Sequence, residues 1–551
     1  MRIHMKLLRP ICTTVFAVLF VAGCESREST TPVYPLCESA YTSLQAVWEP
    51  LTPPETTLSM IDDGGLEVTE HGRFEELGLG VRRAEGNEWI EHLELAPGYP
   101  ASPPGERRSL LYIWQAADPQ VIDEESPIRL EGFELLYRSH GHLSTQVFEA
   151  HVRTAQRISD LSGRPFDFAV LAGDLSDGGQ LNELRWVLTI LNGGIVDPDS
   201  GYDDDPVPGA GNDYNDPFLS DGIDVPWYAA LGNHDALYNG GFAAVDENLR
   251  KAAQGSSIYD FPVFVNGFRD GSTPDAVVVT AGRAQPDPSR TPLYLEEAAD
   301  ELFNAGGLPP GHGMSAGKTY YSIKPLEGKP VRLVVLCTVN TGSAGLGTGS
   351  LGYLDQEQFD WLQQELDAAD AAHELVIVLS HHRTGDFLND SPVSGAELAA
   401  VLEASSGVVL HITGHGHRNL NFIHPQPQGG ADESGYWELM LASTLDYPMQ
   451  SRIIEIVDDD NGYLSIYCTN IGHNSTEDSL AHKSRRLAAG RRSFEGITDA
   501  YGDVEALWAE DLPAQNLLLR IPIPPEVHNE LAKHDWPTRI ESEETLKNLR
   551  D

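Results

Sequence analysis

Basic residues are scarce in this chain. Its 551 residues hold 37 Lys and Arg against 83 Asp and Glu, a formal net charge of -46. A surface of that sign repels nucleic-acid backbones and anionic lipid headgroups, which argues against binding either through charge. Cysteine is also scarce. Cys12, Cys24, Cys37, Cys337 and Cys468 include no CxxC pair, so the sequence carries neither a disulfide framework nor a zinc-finger pattern. A Cys337–Cys468 bridge and two buried free thiols both remain open. No G-x-S-x-G occurs, which removes the serine hydrolases built on a nucleophile elbow. No internal repeat is visible. The apolar run ICTTVFAVLFVAG is too short for a comfortable membrane span.

What is present begins at that run. Arg2, Lys6 and Arg9 precede it and small residues end it, the layout of a secretory signal. Val21-Ala22-Gly23-Cys24 resembles a bacterial lipobox, which implies cleavage before Cys24 and lipid on its thiol. Residues 1–23 are therefore expected to be a lipoprotein signal peptide. Residues 24–57, rich in Ser, Thr, Pro and Glu, are expected to be a flexible tether. On that expectation the protein sits in the cell envelope and touches membrane only through its lipid.

Hydrophobic content of 41% allows a sizeable core. Residues 58–108 read as an irregular segment, 109–475 as the main domain and 476–551 as an extension packing on it. Within the main domain LLYIWQA, FDFAVLAG, PWYAALG, TYYSIK, RLVVLCTV, ELVIVLS, VVLHITG, YWELMLA, RIIEIV and YLSIYCTN are predicted strands. Helical patterns lie between them, among them STQVFEAHVRTAQRISD, opening at a Ser/Thr cap, and DQEQFDWLQQELDAAD. Strands and helices in alternation predict α/β layers. Two insertions stand out, at about 193–224 and 236–316. The first is rich in Asp, Asn and Gly, but its spacing does not match an EF-hand loop, so it reads as solvated.

Polar residues recur where the strand patterns stop. These are Asp118 and Gln120, Asp174 and Asp177, Asn233-His234-Asp235, His381 and His382, and His415 and His417 in TGHGH. Strand carboxyl ends converge on one edge in layered α/β folds, so these groups are expected to meet. A mixture of carboxylate, amide and imidazole suits Fe, Mn or Zn ions better than Ca or Mg. Two such ions clamp a displacement at phosphorus and acidify water. In TGHGH, alternate residues offer one imidazole to each ion, and glycine is expected to let the backbone bend.

D-x-Q, GD-x-x-D, GNHD, a strand ending in His, and GH-x-H, in that order over roughly residues 110–470, resemble the calcineurin-like metallophosphoesterase superfamily. The resemblance implies two mixed β-sheets flanked by helices. It implies one metal on Asp118, Gln120, Asp174 and His417, and a second on Asp174, Asn233, His381 and His415. It implies that His234 protonates the leaving oxygen or steadies the transition state, and that Asp177 and Asp235 orient ligands. The substrate it implies is a phosphorylated small molecule or headgroup. Gln120 departs from the family's usual His. An amide oxygen is a harder, weaker ligand than imidazole, so the first metal is expected to bind more loosely or to favour Mn²⁺. A non-catalytic surface lipoprotein with a degenerate site is the second reading, and Gln120 is the feature in its favour.

Other residues read more plainly. His381 is preferred to His382 as the ligand because it comes first after its strand. His411, Trp114 and Trp227 read as core, and Cys337 as inert. His140 and His142 are expected at the surface. His312 is expected either to reach the site or to sit exposed in a loop. Asn182 and Glu183 read as helix-capping residues, and Asp203 to Asp205 as solvent-facing.

Overall fold

Strands that are apolar on both faces have to be covered on both. The computed structural model describes residues 40–51, 55–62, 73–74, 76–101, 107–129, 138, 140–202, 205–241, 247–256, 284–342, 349–425, 435–497, 515–538, 546 and 549. Its strands are β1 (Ala46–Pro50), β2 (Val81–Glu85), β3 (Trp89–His92), β4 (Arg108–Ala116), β5 (Phe168–Ala172), β6 (Gly194–Val196), β7 (Phe218–Ser220), β8 (Trp227–Ala230) and β9 (Tyr321–Ile323). The second half adds β10 (Val331–Val335), β11 (Leu375–Leu379), β12 (Val408–Thr413), β13 (Leu420–Pro425), β14 (Gly435–Met440), β15 (Gln450–Asp458), β16 (Tyr463–Gly472) and β17 (Asn516–Pro522). The helices used below are α1 (Glu55–Asp62), α2 (Ser144–Ser162), α3 (Leu181–Asn192), α4 (Glu247–Gln254), α5 (Leu295–Asn304), α6 (Gln356–Ala372), α7 (Gly395–Ala404) and α8 (Leu480–Ile497).

Two mixed sheets result. A seven-stranded sheet runs β3-β17-β16-β15-β4-β5-β8, and a six-stranded sheet runs β13-β14-β12-β11-β10-β9. Alternation along the six-stranded sheet sorts its residues between two layers. Leu333, Val335, Ile377, Leu379, Leu410, Ile412 and Trp437 join the central core with Ile113 and Val170 of the other sheet. Val334, Val376, Val378 and Val408 turn the opposite way, onto Leu362 and Leu366 of α6 and Leu398 and Leu402 of α7. The Trp437 indole donates across the sandwich to the Arg520 carbonyl at 3.1 Å. The expected α/β sandwich of two mixed sheets flanked by helices is what the chain forms.

All ten predicted strands are present, but the flanking segments differ from expectation. Residues 40–50, placed in a tether, are largely buried, and β1 pairs with β2 antiparallel. The segment 58–108 supplies β3 to the large sheet. The C-terminal extension supplies β17, which lies between β3 and β16 rather than on the outside. Asn516 holds this corner. Its side chain accepts from Asn470 N at 2.9 Å and Ser43 Oγ at 2.6 Å, and donates to Asn87 O at 2.7 Å. Helix α2 has Leu143 at its N-cap with no side-chain cap. Ser144 instead accepts from Ile122 N at 2.9 Å, fixing the loop after β4.

Cys337 and Cys468 are free and buried, so the bridge is not formed. Burial pushes the Cys337 thiol up to about 11, in keeping with an inert group. Among the described residues no helix is long and apolar enough to cross a membrane. The signal segment, Cys24, Cys37, Asp203 and residues 242–246 and 257–283 of the second insertion lie outside the described residues.

Candidate metal centre

β4, β5 and β8 are parallel neighbours in the large sheet, and β11 and β12 are parallel neighbours in the other. Their carboxyl ends meet between the sheets, and all the strand-end polar residues arrive there. One ligand atom each from Asp118, Asp174 and His417 lies within 4.8 Å of the other two, and one each from His381, His382 and His415 does the same. Asp174 belongs to both neighbourhoods. Its Oδ2 is 3.1 Å from His381 Nε2 and accepts from Gln120 Nε2 at 3.3 Å. His381 Nε2 also lies 2.9 Å from Asn233 Oδ1, and its ring centre is 5.1 Å from that of His415. Across the first set His417 Nε2 is 3.3 Å from Asp118 Oδ1. Asp118, Gln120, Asp174, Asn233 and His381 are buried, while His234, His415 and His417 keep partial access to solvent.

The backbone pays for this convergence. Asp118, Gln120, Asp174, His415 and His417 all adopt left-handed φ, between 37° and 70°. Such conformations are costly for residues with a Cβ and cluster at functional sites. In TGHGH it is therefore the histidines that make the turn, contrary to the expectation placed on the glycines. Gly414 serves close approach instead, since a Cβ there would lie 2.6 Å from Asp118 Oδ2. That space lets the His415 N–H reach both Asp118 oxygens at 3.1 Å.

Neighbouring groups fix each side chain. Asn233 Nδ2 donates to Gly240 O at 2.7 Å, which turns its Oδ1 toward His381. His234 Nδ1 donates to the Asp177 carbonyl at 2.7 Å, with the Asp177 carboxylate 3.4 Å away. Nε2 is then the atom available to a ligand. Asp235 accepts from Leu175 N at 2.8 Å, Ser176 N at 3.0 Å and Gly232 N at 2.8 Å, clamping the loop that follows Asp174.

Two important residues were not found from the sequence. Asp446, in the loop after β14, takes His417 Nδ1 at 2.8 Å and leaves Nε2 to face Asp118. Arg138 donates to Asp446 at 2.9 Å and to Asp177 at 2.8 Å, so one guanidinium spans the supports of His417 and His234. Asp446 sits in TLDYP and Arg138 in LYRSH, with no strand-end pattern to mark either.

The charges require cations. Burial pushes Asp174 up, but the imidazoles of His381 and His234 outweigh it and hold the carboxyl well below its usual range. Burial lowers His381, yet Asp174 outweighs it and raises the imidazole to about 9. Burial lowers His417 in the same way, and Asp118 and Asp446 raise it to about 10. Burial and the neighbouring His381 lower His415 to about 3. Buried carboxylates here are balanced by protons on imidazole, the places where metal ions bind. Gln120 Oε1 is buried with no hydrogen-bond partner among the described residues, and a bare carbonyl oxygen of this kind suits a ligand. The donor set therefore fits divalent metal.

The other histidines sort clearly. His382 uses both nitrogens, Nδ1 with Thr338 Oγ1 at 2.9 Å and Nε2 with Ser350 O at 3.1 Å, and so props the site wall. His411 is core, with Ser380 Oγ at 2.8 Å and Glu438 at 3.0 Å. His140 and His142 are buried, not at the surface; His140 Nε2 lies 3.2 Å from Asp446. His312 is also buried and does not reach the site. It stacks on Trp227 at 3.5 Å, at the end of β8 away from the cluster, because Trp227 O and Gly306 O engage its two nitrogens. Glu183 caps α3 by accepting from Gln180 N at 3.1 Å, while Asn182 donates to Asp123 at 2.7 Å.

No protein-family model matches the chain, and no curated protein does. Solved structures do. A dimetal phosphatase from Danio rerio is similar at 14% identity and TM-score 0.34, covering 66% of this chain and 99% of its own. A purple acid phosphatase from yellow lupin seeds gives 12% and 0.31, covering 71% and 56%, and a 5'-nucleotidase precursor from Thermus thermophilus gives 11% and 0.28, covering 68% and 57%. The chain thus spans little more than half the length of the latter two. Likeness at this level leaves the chemistry to rest on the side chains.

Gly240 tests the packing of this centre. Its φ is 67°, and a Cβ there would lie 2.1 Å from His234 Cδ2 and 2.7 Å from Asn233 Nδ2. Gly240→Ala is expected to cost about 2 kcal/mol or more, read as a lower urea midpoint at unchanged slope. An unshifted midpoint would show that His234 and Asn233 are not held as described.

Proposed function

We propose that the protein is a metal-dependent phosphoesterase that hydrolyses a phosphate ester at a centre of two metal ions. The observation that carries the reading is Asp174, a buried carboxylate shared between the Asp118–His417 group and the His381–Asn233 group. Asp118, Gln120, Asp174 and His417 would hold one ion, and Asp174, Asn233, His381 and His415 the other, with Mn, Fe or Zn suited to the donors. Two ions held by these residues would supply positive charge to a phosphoryl group and lower the pKa of water.

The chain's own groups do the rest. Asp446 and Asp118 orient His417, and Gly240 orients Asn233. His234 keeps its Nδ1 proton on the Asp177 carbonyl, with the Asp177 carboxylate beside it. From Nε2 it donates a proton to the leaving oxygen. Partial exposure of His234, His415 and His417 leaves one open side for a phosphorylated small molecule or headgroup. Gln120 supports this reading over a degenerate site, because its amide reaches Asp174 through Nε2 while its buried carbonyl oxygen has no partner among the described residues. We also propose a lipid anchor at Cys24 in the cell envelope, supported by the Val21-Ala22-Gly23-Cys24 sequence after an apolar run. Cys24→Ser should move the protein from the membrane to the soluble fraction, and a variant that stays membrane-bound would remove the anchor from the account.

An aryl phosphate monoester and the matching diester, assayed with Mn²⁺, test the activity. His234→Ala is expected to lower turnover about 10²–10⁴-fold at unchanged metal content. A variant at full rate would refute the role of His234, and absence of metal-dependent turnover on either ester would count against the phosphoesterase.

A further inference from the structure

Two carboxylates behind the metal centre each face an imidazole, and both face the same arginine. Asp446 Oδ2 lies 2.8 Å from His417 Nδ1 and accepts from Arg138 Nε at 2.9 Å. Asp177 Oδ1 lies 3.4 Å from His234 Nδ1 and accepts from Arg138 Nη1 at 2.8 Å. These contacts make an unbroken path, His417–Asp446–Arg138–Asp177–His234. It runs from a ligand of the proposed first ion to the group that faces the leaving oxygen.

The path joins three separate loops. Arg138 lies between β4 and α2, Asp177 between β5 and α3, and Asp446 between β14 and β15, where the chain crosses from one sheet to the other. The Arg138 side chain is 10% exposed, so its charge acts on these partners rather than on solvent. Asp446 has two further neighbours, His140 Nε2 at 3.2 Å and Arg491 at 3.7 Å, and both reach Oδ1 rather than the oxygen that holds His417. Burial pushes Asp446 up, but Arg138, with His140 and His417, outweighs it and holds the carboxyl well below its usual range. A guanidinium is a planar fork of fixed donors, so it sets both the spacing and the angle of two carboxylates. Without it, two poorly solvated anions would stand side by side.

We propose that Arg138 is a positioning residue that ties metal binding to proton transfer. Through Asp446 it aims His417 Nε2 at the first ion, and through Asp177 it aims His234 Nε2 at the leaving oxygen. It touches neither ion nor substrate, and the strand-end motifs give it no role. The inference rests on the two-ion phosphoesterase proposed above. Its two arms are separable. The Asp446 arm governs how tightly one ion is held, and the Asp177 arm governs the rate once both ions are bound.

The test titrates the full chain with Mn²⁺, following the EPR signal of the free ion, beside ester hydrolysis at saturating Mn²⁺. Arg138→Gln is expected to weaken one of the two ions about 10–100-fold and leave the other unchanged. Its kcat on the aryl phosphate should fall about tenfold with KM unchanged, the mark of an interaction made only in the transition state. A packing role alone would lower Tm and move neither readout. Arg138→Lys keeps the charge and the stem, which preserves the fold. It should show the same losses, because one ammonium cannot fork across two carboxylates. Asp446→Asn should reproduce the weakened ion, and Arg138→Gln added to it should weaken that ion little further. An Arg138 variant that holds both ions as tightly as the unmodified protein, or losses that simply add in the double variant, would overturn the positioning role. An unmodified chain that binds two ions, one of them dependent on Arg138, yet hydrolyses neither ester would count against the phosphoesterase alone.

Discussion

The buried carboxylate of Asp174 is the constraint around which this molecule is arranged. A charge taken out of water needs close compensation. Asp174 receives it from the His234 N–H at 2.8 Å on one oxygen and from His381 and Gln120 on the other. Those partners come from both sheets: β5 leads to Asp174, β8 leads to His234, and β11 on the facing sheet leads to His381. The sandwich therefore brings two parallel edges together at a single anion. Its surroundings are built to tolerate that closeness. A Cβ on Gly232 would fall 2.1 Å from Asp174 Oδ1, and one on Gly173 would fall 2.7 Å from His381 Nδ1.

Much of this could be read in the sequence, for physical reasons. Apolar runs such as ELVIVLS and VVLHITG are buried on both faces, and that pattern marks a strand without help from alignment. Polar residues directly after such runs have one place to go, the carboxyl edge. Local signals stop there. Asp446 and Arg138 act through partners far away in the chain, and no spacing rule links TLDYP to TGHGH. The segment holding β17 was read as an extension packing on the domain, and its place inside the sheet depends on distant partners, with Arg520 paired to Asp459 and Glu91. His140 and His142 looked like surface histidines, and His312 was left open, because loop sequence says little about burial. In TGHGH the turn was legible, but which residues would carry the strained backbone was not.

Imidazole, amide and carboxylate meet between the sheets, a donor mixture that favours intermediate metals. The net charge of -46 draws cations and repels a polyanionic partner.

The role of Asp174 as the shared ligand is open to direct measurement by transition-metal analysis of the full chain beside Asp174→Asn and Asp177→Asn. If Asp174 bridges, the unmodified protein holds about two ions per chain, Asp174→Asn falls below one, and Asp177→Asn keeps both. An Asp174→Asn protein that still holds two ions, or an unmodified chain that never exceeds one, would contradict the shared centre.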